Sequence, residues 1–410
     1  MNDMKLLGIL LDLGAEMIRS GAETHRVEDS LYRLCASYRF TECNIWVVPS
    51  NIQATVTAPS GECLTQIRHI PTAGIDFERL DRLNDLSRRA CAGQPEAEVL
   101  REMLADITEE PAPTLTYSLL AGMLSVCGFG IFFNCDAADT IAAFFVSLLI
   151  TCLVRRMQKK ESNPLILNFL IAFPAELFIL LAVRAGLGHH PGSITVSAVM
   201  LLISALGTTN GLRDMVHLDT ISGLVNITIS LTGAIGIAMG IIVPLLLLRY
   251  PIDNEAGMLS PSLPVTIVGC TVGCIGFALW FHVTGRKLLS CTCGALLTWC
   301  LYLLMLRVFS GSFAATLTAA FCCSLYAEIM ARVQKAPGTI YRTVCVFPLI
   351  PGAYLYRMMC GIVLQNADMT LQNGRELLLI CFGIVFGFMA AEVLWKAAIP
   401  QNTARQGRPR

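Results

Sequence analysis

The chain has 410 residues, of which 54% are hydrophobic and 15% are charged, and its 30 basic and 30 acidic side chains give a formal net charge of zero. This composition, with a mean hydropathy of +0.61, excludes a soluble globular protein. The charges are unevenly distributed, because residues 1–112 hold 11 of the basic and 18 of the acidic side chains. An acidic N-terminal region of this kind argues against a nucleic-acid partner.

The first 112 residues are predicted to form a cytoplasmic α+β domain. Apolar residues recur at helical spacing from Leu6 to Met17, with Asp12 and Glu16 between them, which indicates an amphipathic helix and not a signal peptide. Alternating apolar residues between Ile52 and Ala58 predict a strand. The other predicted elements are helices over residues 23–38, 76–90 and 95–107 and strands over residues 44–48 and 63–70.

The sequence predicts neither a metal site nor an enzyme. The 17 cysteines form no CxxC pairs, and Cys322 and Cys323 lie inside an apolar run, where thiols act as small hydrophobic groups. The chain has no HExxH motif, no GxSxG motif and no glycine-rich loop for phosphate. We therefore expect no cofactor, no metal and no ATP-driven pumping.

From residue 115 onward the pattern predicts about ten transmembrane helices in two five-span modules, residues 113–250 and 260–400. Most of the apolar segments approach the roughly 20 residues that cross a bilayer. Basic residues concentrate in alternate loops and in the tail 401–410, so the positive-inside rule places both termini in the cytoplasm. The predicted spans cover residues 115–133, 138–154, 164–184, 193–207, 221–248, 263–283, 288–306, 312–331, 341–364 and 375–398.

Two of these apolar segments are interrupted at corresponding places of the two modules. The first interruption lies in Leu201–Asn226, where Gly207 ends an apolar run and polar residues follow. The second lies in Cys345–Gly374, which begins with Pro348, Pro351 and Gly352. Broken polar chain at membrane depth survives only inside protein or beside water, and paired breaks of this kind mark the binding sites of transporters.

The breaks predict a set of substrate-binding residues. In this interpretation the freed backbone groups and polar side chains bind the ammonium and carboxylate of a zwitterion. The alternative is that the first set is a cytoplasmic loop, with Arg213 and Asp214 as a solvated pair. The candidate residues are Gly207, Thr209, Asn210, Arg213, Asp214, Pro351, Gly352 and Tyr354.

Five spans per module would insert the second module upside down, which predicts an inverted repeat. The segment Phe173–Ile179 resembles Leu325–Ala331, so Glu176 and Glu328 fall in the third span of each module. A carboxylate inside an apolar span is costly and is functional by default, so these residues are candidates for carrying a coupling proton or binding a substrate amino group. The alternative is a structural carboxylate that caps backbone groups.

The N-terminal region contains a polar run that includes Glu23, His25, Arg26 and Glu28. Helical spacing places His25 and Glu28 on one face, but a metal site needs more ligands than this run supplies. We interpret the run as a helix start with interdomain or intersubunit salt bridges. An enzymatic or regulatory ligand site is the alternative.

These blocks together resemble the threonine/serine exporter family. The resemblance rests on Gly21-Ala22-Glu23 with Arg26-Val27-Glu28, on Thr209-Asn210 with Arg213-Asp214, and on Pro348–Gly352. It implies a cytoplasmic N-terminal domain followed by two five-span modules, which resemble the two subunits of a bacterial succinate exporter. It also implies the bacterial plasma (inner) membrane. Leu206 stands where the family usually has a proline at the first break, so the two breaks differ in strength.

The function predicted is secondary export of threonine, serine or a similar small polar metabolite, with the proton gradient and an antiport mechanism as the drive. The predicted partners are the substrate, the proton and the lipid bilayer, and a homo-oligomer stays open. A dicarboxylate such as succinate is the competing substrate. A membrane-tethered enzyme or sensor is the competing class, but anchoring spans have no need of polar breaks.

Overall fold

The computed structural model describes residues 3–70, 74–111, 113–158, 160–161, 163–203, 207, 211, 214–215, 219–250, 262–309 and 311–398. Within these ranges eight helices are long and apolar enough to cross a membrane, and a bent helix pair makes a ninth. The protein is therefore an α-helical polytopic membrane protein. The predicted fourth span, 193–207, falls partly on residues outside the described ranges, and the predicted basic tail 401–410 lies wholly outside them.

The described N-terminal residues, 3–70 and 74–111, are called the head below and combine helices with one antiparallel sheet. The strand order is β1-β2-β3, and Ala54 of the central strand faces Ile45 on one side and Gln66 on the other. Alternate residues of β2 are buried, with Ile52 reaching the position of Gly14 on the first helix. The elements are α1 (Asp3–Arg19), α2 (Thr24–Ser37), β1 (Thr41–Val48), β2 (Asn51–Thr57), β3 (Cys63–His69), α3 (Phe77–Gly93) and α4 (Ala97–Thr108).

The rest of the described chain is helical. Eight of its helices contain an apolar stretch long enough to cross a bilayer, in which every backbone group must be paired within the segment. The helices are α5 (Leu115–Phe132), α6 (Ala137–Met157), α7 (Pro164–Arg184), α8 (Pro191–Val199), α9 (Thr220–Leu247), α10 (Leu263–Trp280), α11 (Gly285–Val308), α12 (Ser312–Val333), α13 (Gly338–Val346), α14 (Gly352–Val363) and α15 (Ala367–Ala398).

Glycines allow α5 and α10 to cross with their backbones in contact, and we call this contact the glycine seam. A Cβ added to Gly128 would lie 2.2 Å from the backbone N of Gly273, and one added to Gly276 would lie 2.1 Å from the backbone N of Ser125. No side chain fits in such a gap, so only glycine permits this approach. The seam joins the first span of each predicted module.

Two short helices end inside the membrane region. Helix α8 has nine residues and ends at Val199, ahead of the Gly207 at which the sequence predicts the break. Helix α13 also has nine residues and passes through a 3-10 turn, Phe347–Leu349, into α14 with a bend of 52°. Pro348 lies in this turn and Pro351 follows it, and a proline lacks the N–H that would continue a helix.

The head docks on one face of the membrane helices. Phe77 N–H donates to the carbonyl of Phe281 at 3.0 Å, just after α10. Arg88 Nη2 donates to the carbonyl of Lys335 at 2.7 Å, just after α12. Lys287 of α11 pairs with a head aspartate, Asp81. The buried core runs without interruption from the head into α10 and α13, so the head is packed against the membrane part and not merely tethered to it.

Candidate transport site

Glu176 lies deep in the membrane region, and among the described residues its side chain has one hydrogen-bond partner, a hydroxyl group. Its side chain is 2% exposed, on α7 two residues after the in-helix proline Pro174. Thr195 Oγ1 lies 2.7 Å from Glu176 Oε2 and 2.9 Å from the carbonyl oxygen of Pro191. Thr195 is one turn into α8, so the short helix positions the hydroxyl. A carboxyl group with a hydroxyl partner gains or loses a proton without leaving another charge unpaired.

A small cavity lies beside Glu176. It holds about 10 Å³ and is lined by α6, α7, α8 and α9, with Ile150, Ala175, Thr195 and Ile241 among the lining residues. This volume is close to the minimum that one water molecule needs. In this conformation the cavity has room for water beside the carboxyl group and no room for an amino acid.

Glu328 has entirely different partners. Arg342 of α13 donates to Glu328 Oε1 from Nη2 at 2.6 Å, and Arg26 of the head donates to the same oxygen at 2.9 Å. Arg342 also pairs with Glu23 at 3.2 Å, and Arg26 pairs with Glu23 at 3.0 Å. Thr339 Oγ1 donates to Glu23 at 3.0 Å. The four charged residues form a closed ring of two acids and two bases, called the charge cluster below.

The start of α2 also contacts the first module. Ser222 Oγ at the start of α9 lies 3.3 Å from Thr24 Oγ1 and donates to Asp214 Oδ2 at 2.9 Å. Asn226 Nδ2 donates to the same oxygen at 3.1 Å. Asp214 is 3% exposed, so it is an acceptor buried between the head and α9. The N-terminal turn of α2 therefore touches both modules.

Two histidine–aspartate pairs, called the His–Asp clasp below, hold the start of α8. His189 Nδ1 lies 2.6 Å from Asp136 Oδ2, and His190 Nδ1 lies 2.8 Å from Asp139 Oδ2. The backbone N–H groups of His189 and His190 donate to Asp139 Oδ1 at 2.7 and 3.0 Å. The clasp joins the loop after α7 to the first turn of α6.

The clasp contains three groups with metal-ligand chemistry. Asp136, Asp139 and His189 each place one ligand atom within 4.8 Å of the others. Asp139 is already an acceptor at both carboxylate oxygens, because it also receives the backbone N–H of Asp136 at 3.2 Å. Hydrogen bonding therefore accounts for the geometry of the clasp.

Electrostatics strengthen the outer pair of the clasp. The backbone N–H of Asp139 and the ring of His189 both bond Asp136 and hold the pKa of its carboxyl below the usual value. The hydrogen bond and charge of Asp136 raise the pKa of His189. Both groups lie outside the membrane-spanning segments, so solvent screens this interaction.

Two family models match the sequence. The ThrE model of threonine/serine exporters matches residues 8–248, which is more than half of the chain.

The chain belongs to the threonine/serine exporter family.

A second model, described as Threonine/Serine exporter, ThrE, matches residues 266–394, so the chain has the two-module form. A protein of Mycobacterium tuberculosis named as a probable threonine/serine exporter is 22% identical over 418 residues, covering 96% of this chain and 78% of the relative. A threonine/serine exporter of Corynebacterium glutamicum is 22% identical over 329 residues, covering 77% of this chain and 67% of the relative. No solved structure matches the chain.

The exporter brings its second break against the end of α8. A Cβ added to Gly352 would lie 2.9 Å from Met200 Sδ and 3.9 Å from Ile203 Cδ1. Pro351 and Tyr354 flank Gly352 and are half-buried. Gly207 is half-buried with helical backbone, and the predicted residues Thr209, Asn210 and Arg213 lie outside the described residues.

The predicted polar run of the exporter's head forms the start of α2. Glu23 and Arg26 join the charge cluster, and His25 Nε2 lies 3.7 Å from Glu23 Oε2. Glu28 is buried at 8% exposure. The salt bridges link the head to the membrane part, because Arg26 pairs with Glu328 of α12 as well as with Glu23 beside it.

Sequence reasoning missed two residues of the exporter's membrane region as site candidates. Thr195 sits in a short helix with an apolar pattern, and nothing in the sequence pairs it with Glu176. Arg357 is 3% exposed on α14, one turn beyond the break. A lone arginine in an apolar run is the signal that marks it.

Proposed function

We propose that the protein exports threonine, serine or a similar small zwitterion across the bacterial plasma membrane, coupled to the movement of protons. The observation that carries the proposal is the contact between Gly352, at the second break, and Met200, at the end of α8 and ahead of the first break. Buried Glu176 lies on α7, the helix before α8. Helix ends inside a membrane protein supply partial charges for a zwitterion, and a buried acid supplies a proton carrier. The relatives named as threonine/serine exporters support the substrate class.

An inverted repeat of two five-span modules is part of this proposal. Helix α9 packs on α7 where Gly240 faces Ala172 and Phe173, and α15 packs on α12 where Gly387 faces Ala320 and Phe321. Each contact of the second module thus lies about 147 residues after the same contact of the first. The matching neighbours support one packing plan used twice.

The direction of the helices supports the inversion. Gly233 contacts Asn168 and Gly240 contacts Ala172, so α7 and α9 run parallel, and α9 starts beside the head. Helix α7 therefore ends on the face away from the head, where α8 begins. Helix α13 begins on the face that the head covers, because Thr339 bonds Glu23. The two short helices enter the membrane region from opposite faces, which is the arrangement that alternating access requires.

The head closes one entrance in this conformation. The start of α2 lies between Ser222 of the first module and Thr339 and Arg342 of the second. With both termini cytoplasmic, as the basic loops predict, this is the cytoplasmic entrance. The head, proposed to span residues 1–112, would then act as a cytoplasmic gate that must shift for the substrate to enter.

Glu176 is the proposed proton carrier. Its hydroxyl partner and its water-sized cavity favour proton exchange over substrate binding. Glu328 is less suited, because its protonation would leave Arg342 and Arg26 short of an acceptor. We assign Glu328 to docking of the head.

Counterflow in proteoliposomes tests the proposal. Liposomes loaded with unlabelled threonine should take up labelled threonine or serine, and Gly352→Leu should abolish this uptake, because its side chain would collide with Met200. Gly311→Leu is the matched control, since a Cβ there meets nothing within 4 Å. Equal membrane abundance of both variants shows that insertion is intact. Threonine uptake by Gly352→Leu at the parent rate would contradict the site, and exchange of succinate alone would contradict the substrate.

A further inference from the structure

Arg357 is a buried cation whose charge has no acidic partner among the residues that the structure describes. It is 3% exposed on α14. Its Nε donates to the carbonyl of Ala353 at 3.3 Å, and its guanidinium lies 4.9 Å from the ring centre of Tyr354. The other buried arginine, Arg342, has two carboxylates.

An arginine left in this state is costly. A guanidinium carries five N–H donors in a planar fork, and the recorded hydrogen bond of Arg357 uses only Nε. Burial of an ionised group without a counter-charge is strongly unfavourable, because the group loses its hydration. A residue that only filled space here would be apolar. The terminal N–H groups of Arg357 are therefore available to bind an anion.

The position of Arg357 identifies the kind of anion. The bond to Ala353 turns the guanidinium back toward the first turn of α14, beside the break at Gly352. The free N–H groups of a helix start carry partial positive charge, so the helix start and the guanidinium favour the same anion. Across the break, Met200 marks the C-terminal end of α8, where the helix dipole places partial negative charge.

We propose that Arg357 and the start of α14 bind the carboxylate of the exported amino acid, while its ammonium group faces the carbonyl end of α8. This inference rests on the proposed function and adds a residue to it. A planar guanidinium binds a carboxylate through two parallel hydrogen bonds. A second carboxylate would find no comparable cation in the described part of the membrane region, because Arg342 is held by Glu23 and Glu328. The geometry thus selects monocarboxylates over dicarboxylates.

The experiment measures inhibition of threonine counterflow by three unlabelled compounds: threonine, threoninol, in which a hydroxymethyl group replaces the carboxylate, and succinate. Direct binding to the detergent-purified protein is measured by calorimetry with the same compounds. In the parent protein threonine should bind at least about tenfold more tightly than threoninol, as a charge-assisted bidentate pair provides. In Arg357→Gln that preference should fall to within about twofold, with threoninol affinity unchanged.

Two variants control the result. Arg332→Gln removes an exposed arginine that also lies on an aromatic ring, 4.8 Å from the centre of Trp395, and should keep the full preference. Arg357→Lys keeps the charge without the fork and should lose part of the preference, which remains measurable if the glutamine variant fails to fold.

Each outcome decides the inference. Undiminished preference for threonine in Arg357→Gln, or in Arg357→Lys if only the lysine variant folds, overturns it while the proposed export stands. If the parent binds succinate and not threonine, and Arg357→Gln loses succinate, the carboxylate role of Arg357 stands and the proposed substrate is wrong. If the parent binds none of the carboxylates, both fail.

Discussion

The two acids of the membrane region occupy similar settings and have opposite surroundings. Glu176 on α7 bonds Thr195, the fifth residue of α8, and Glu328 on α12 bonds Arg342, the fifth residue of α13. The first acid has one neutral partner, whereas the second has two guanidinium groups. Similar helix pairs thus hold two different acids. Glu176 can exchange a proton without unpairing another charge, whereas the two guanidinium groups stabilise Glu328 in its ionised form.

The packing explains why the two acids differ. Contacts of α9 on α7 recur about 147 residues later as contacts of α15 on α12. Ala172 and Phe173 of α7 correspond in this comparison to Ala320 and Phe321 of α12, so the residue of α12 equivalent to Glu176 is Ser324. Glu328 is one helical turn further on, toward the head. The turn moves the acid from the membrane interior to the head's contact surface, where Arg26 reaches it at 2.9 Å. In the proposed mechanism the two modules therefore share a scaffold, and only the first carries a proton site.

The strongest test of this comparison substitutes both acids. Glu176→Gln should reduce the accumulation of threonine against a gradient to none, because glutamine keeps the bond to Thr195 and carries no exchangeable acid proton. Downhill exchange should persist. Glu328→Gln should leave pH-driven accumulation in place at a reduced rate. The measurement is the accumulation ratio in proteoliposomes with an imposed pH gradient, and a concentrating Glu176→Gln protein would refute the assignment.

A second test compares the two partners of the acids. Arg342→Gln should lower the free energy of unfolding by about 3 kcal/mol, since it removes one of the two guanidinium groups that pair with buried Glu23 and half-buried Glu328. Thr195→Val should cost only about 1 kcal/mol, because a single hydrogen bond is lost. Unfolding in mixed micelles titrated with SDS measures both.

Lys287→Gln is the control for the second test. It breaks a head contact with Asp81 that is partly exposed on both sides, and its loss should cost at most about 1 kcal/mol. Comparable costs for Arg342→Gln and Lys287→Gln would show that the charge cluster is no stronger than a surface pair.

The smallest expected effect concerns the His–Asp clasp at the start of α8. Because the pKa of His189 is raised, the protonated ring stabilises the clasp. This stabilisation is complete below the ordinary histidine pKa, about 6.5, and is lost as the pH rises through the raised pKa. The lowered pKa of Asp136 makes its contribution complete above about 3.9 and lost at lower pH. The clasp should therefore be tightest between these limits.

Amide hydrogen exchange at the start of α8 measures how strongly the clasp stabilises this end of the helix. After correction for the intrinsic pH dependence of exchange, protection of residues 191–195 should fall between pH 6 and pH 8. His189→Gln should remove most of that fall and leave the rest of the profile unchanged. A parent protein with the same corrected protection at both pH values would show that the clasp does not hold the helix.

The sequence predicted the helices and strands well where one physical pattern governs a whole segment. Alternation predicted a strand at residues 52–58 and the structure has Asn51–Thr57, and the apolar run at 164–184 matches Pro164–Arg184. It missed the end of α8, because Val199 lies inside an apolar run that continues to Leu206. The cause lies in contact with α14, which the local pattern does not encode.

The candidate site was harder to predict, because its partners are distant in the chain. Glu23 and Arg342 are 319 residues apart, and Arg26 and Glu328 are 302 apart. The similar sequences around Glu176 and Glu328 predicted that the two acids occupy equivalent positions. In the packing, Glu328 lies one helical turn beyond the position equivalent to Glu176. Charge in an apolar run identified both glutamates but could not distinguish a proton carrier from a docking ion, since that depends on what lies across the helix.

The glycine seam between α5 and α10 sets the mechanical character of the exporter. With Gly128 and Gly273 in backbone contact, the first spans of the two modules approach closely, and the ring of Phe129 on α5 packs over Gly273 and edge-on against Phe277 of α10. Such a contact resists separation, because opening it would leave a gap that no side chain fills. In the proposed mechanism the two modules would rock about the seam, and their separation along it would stay fixed.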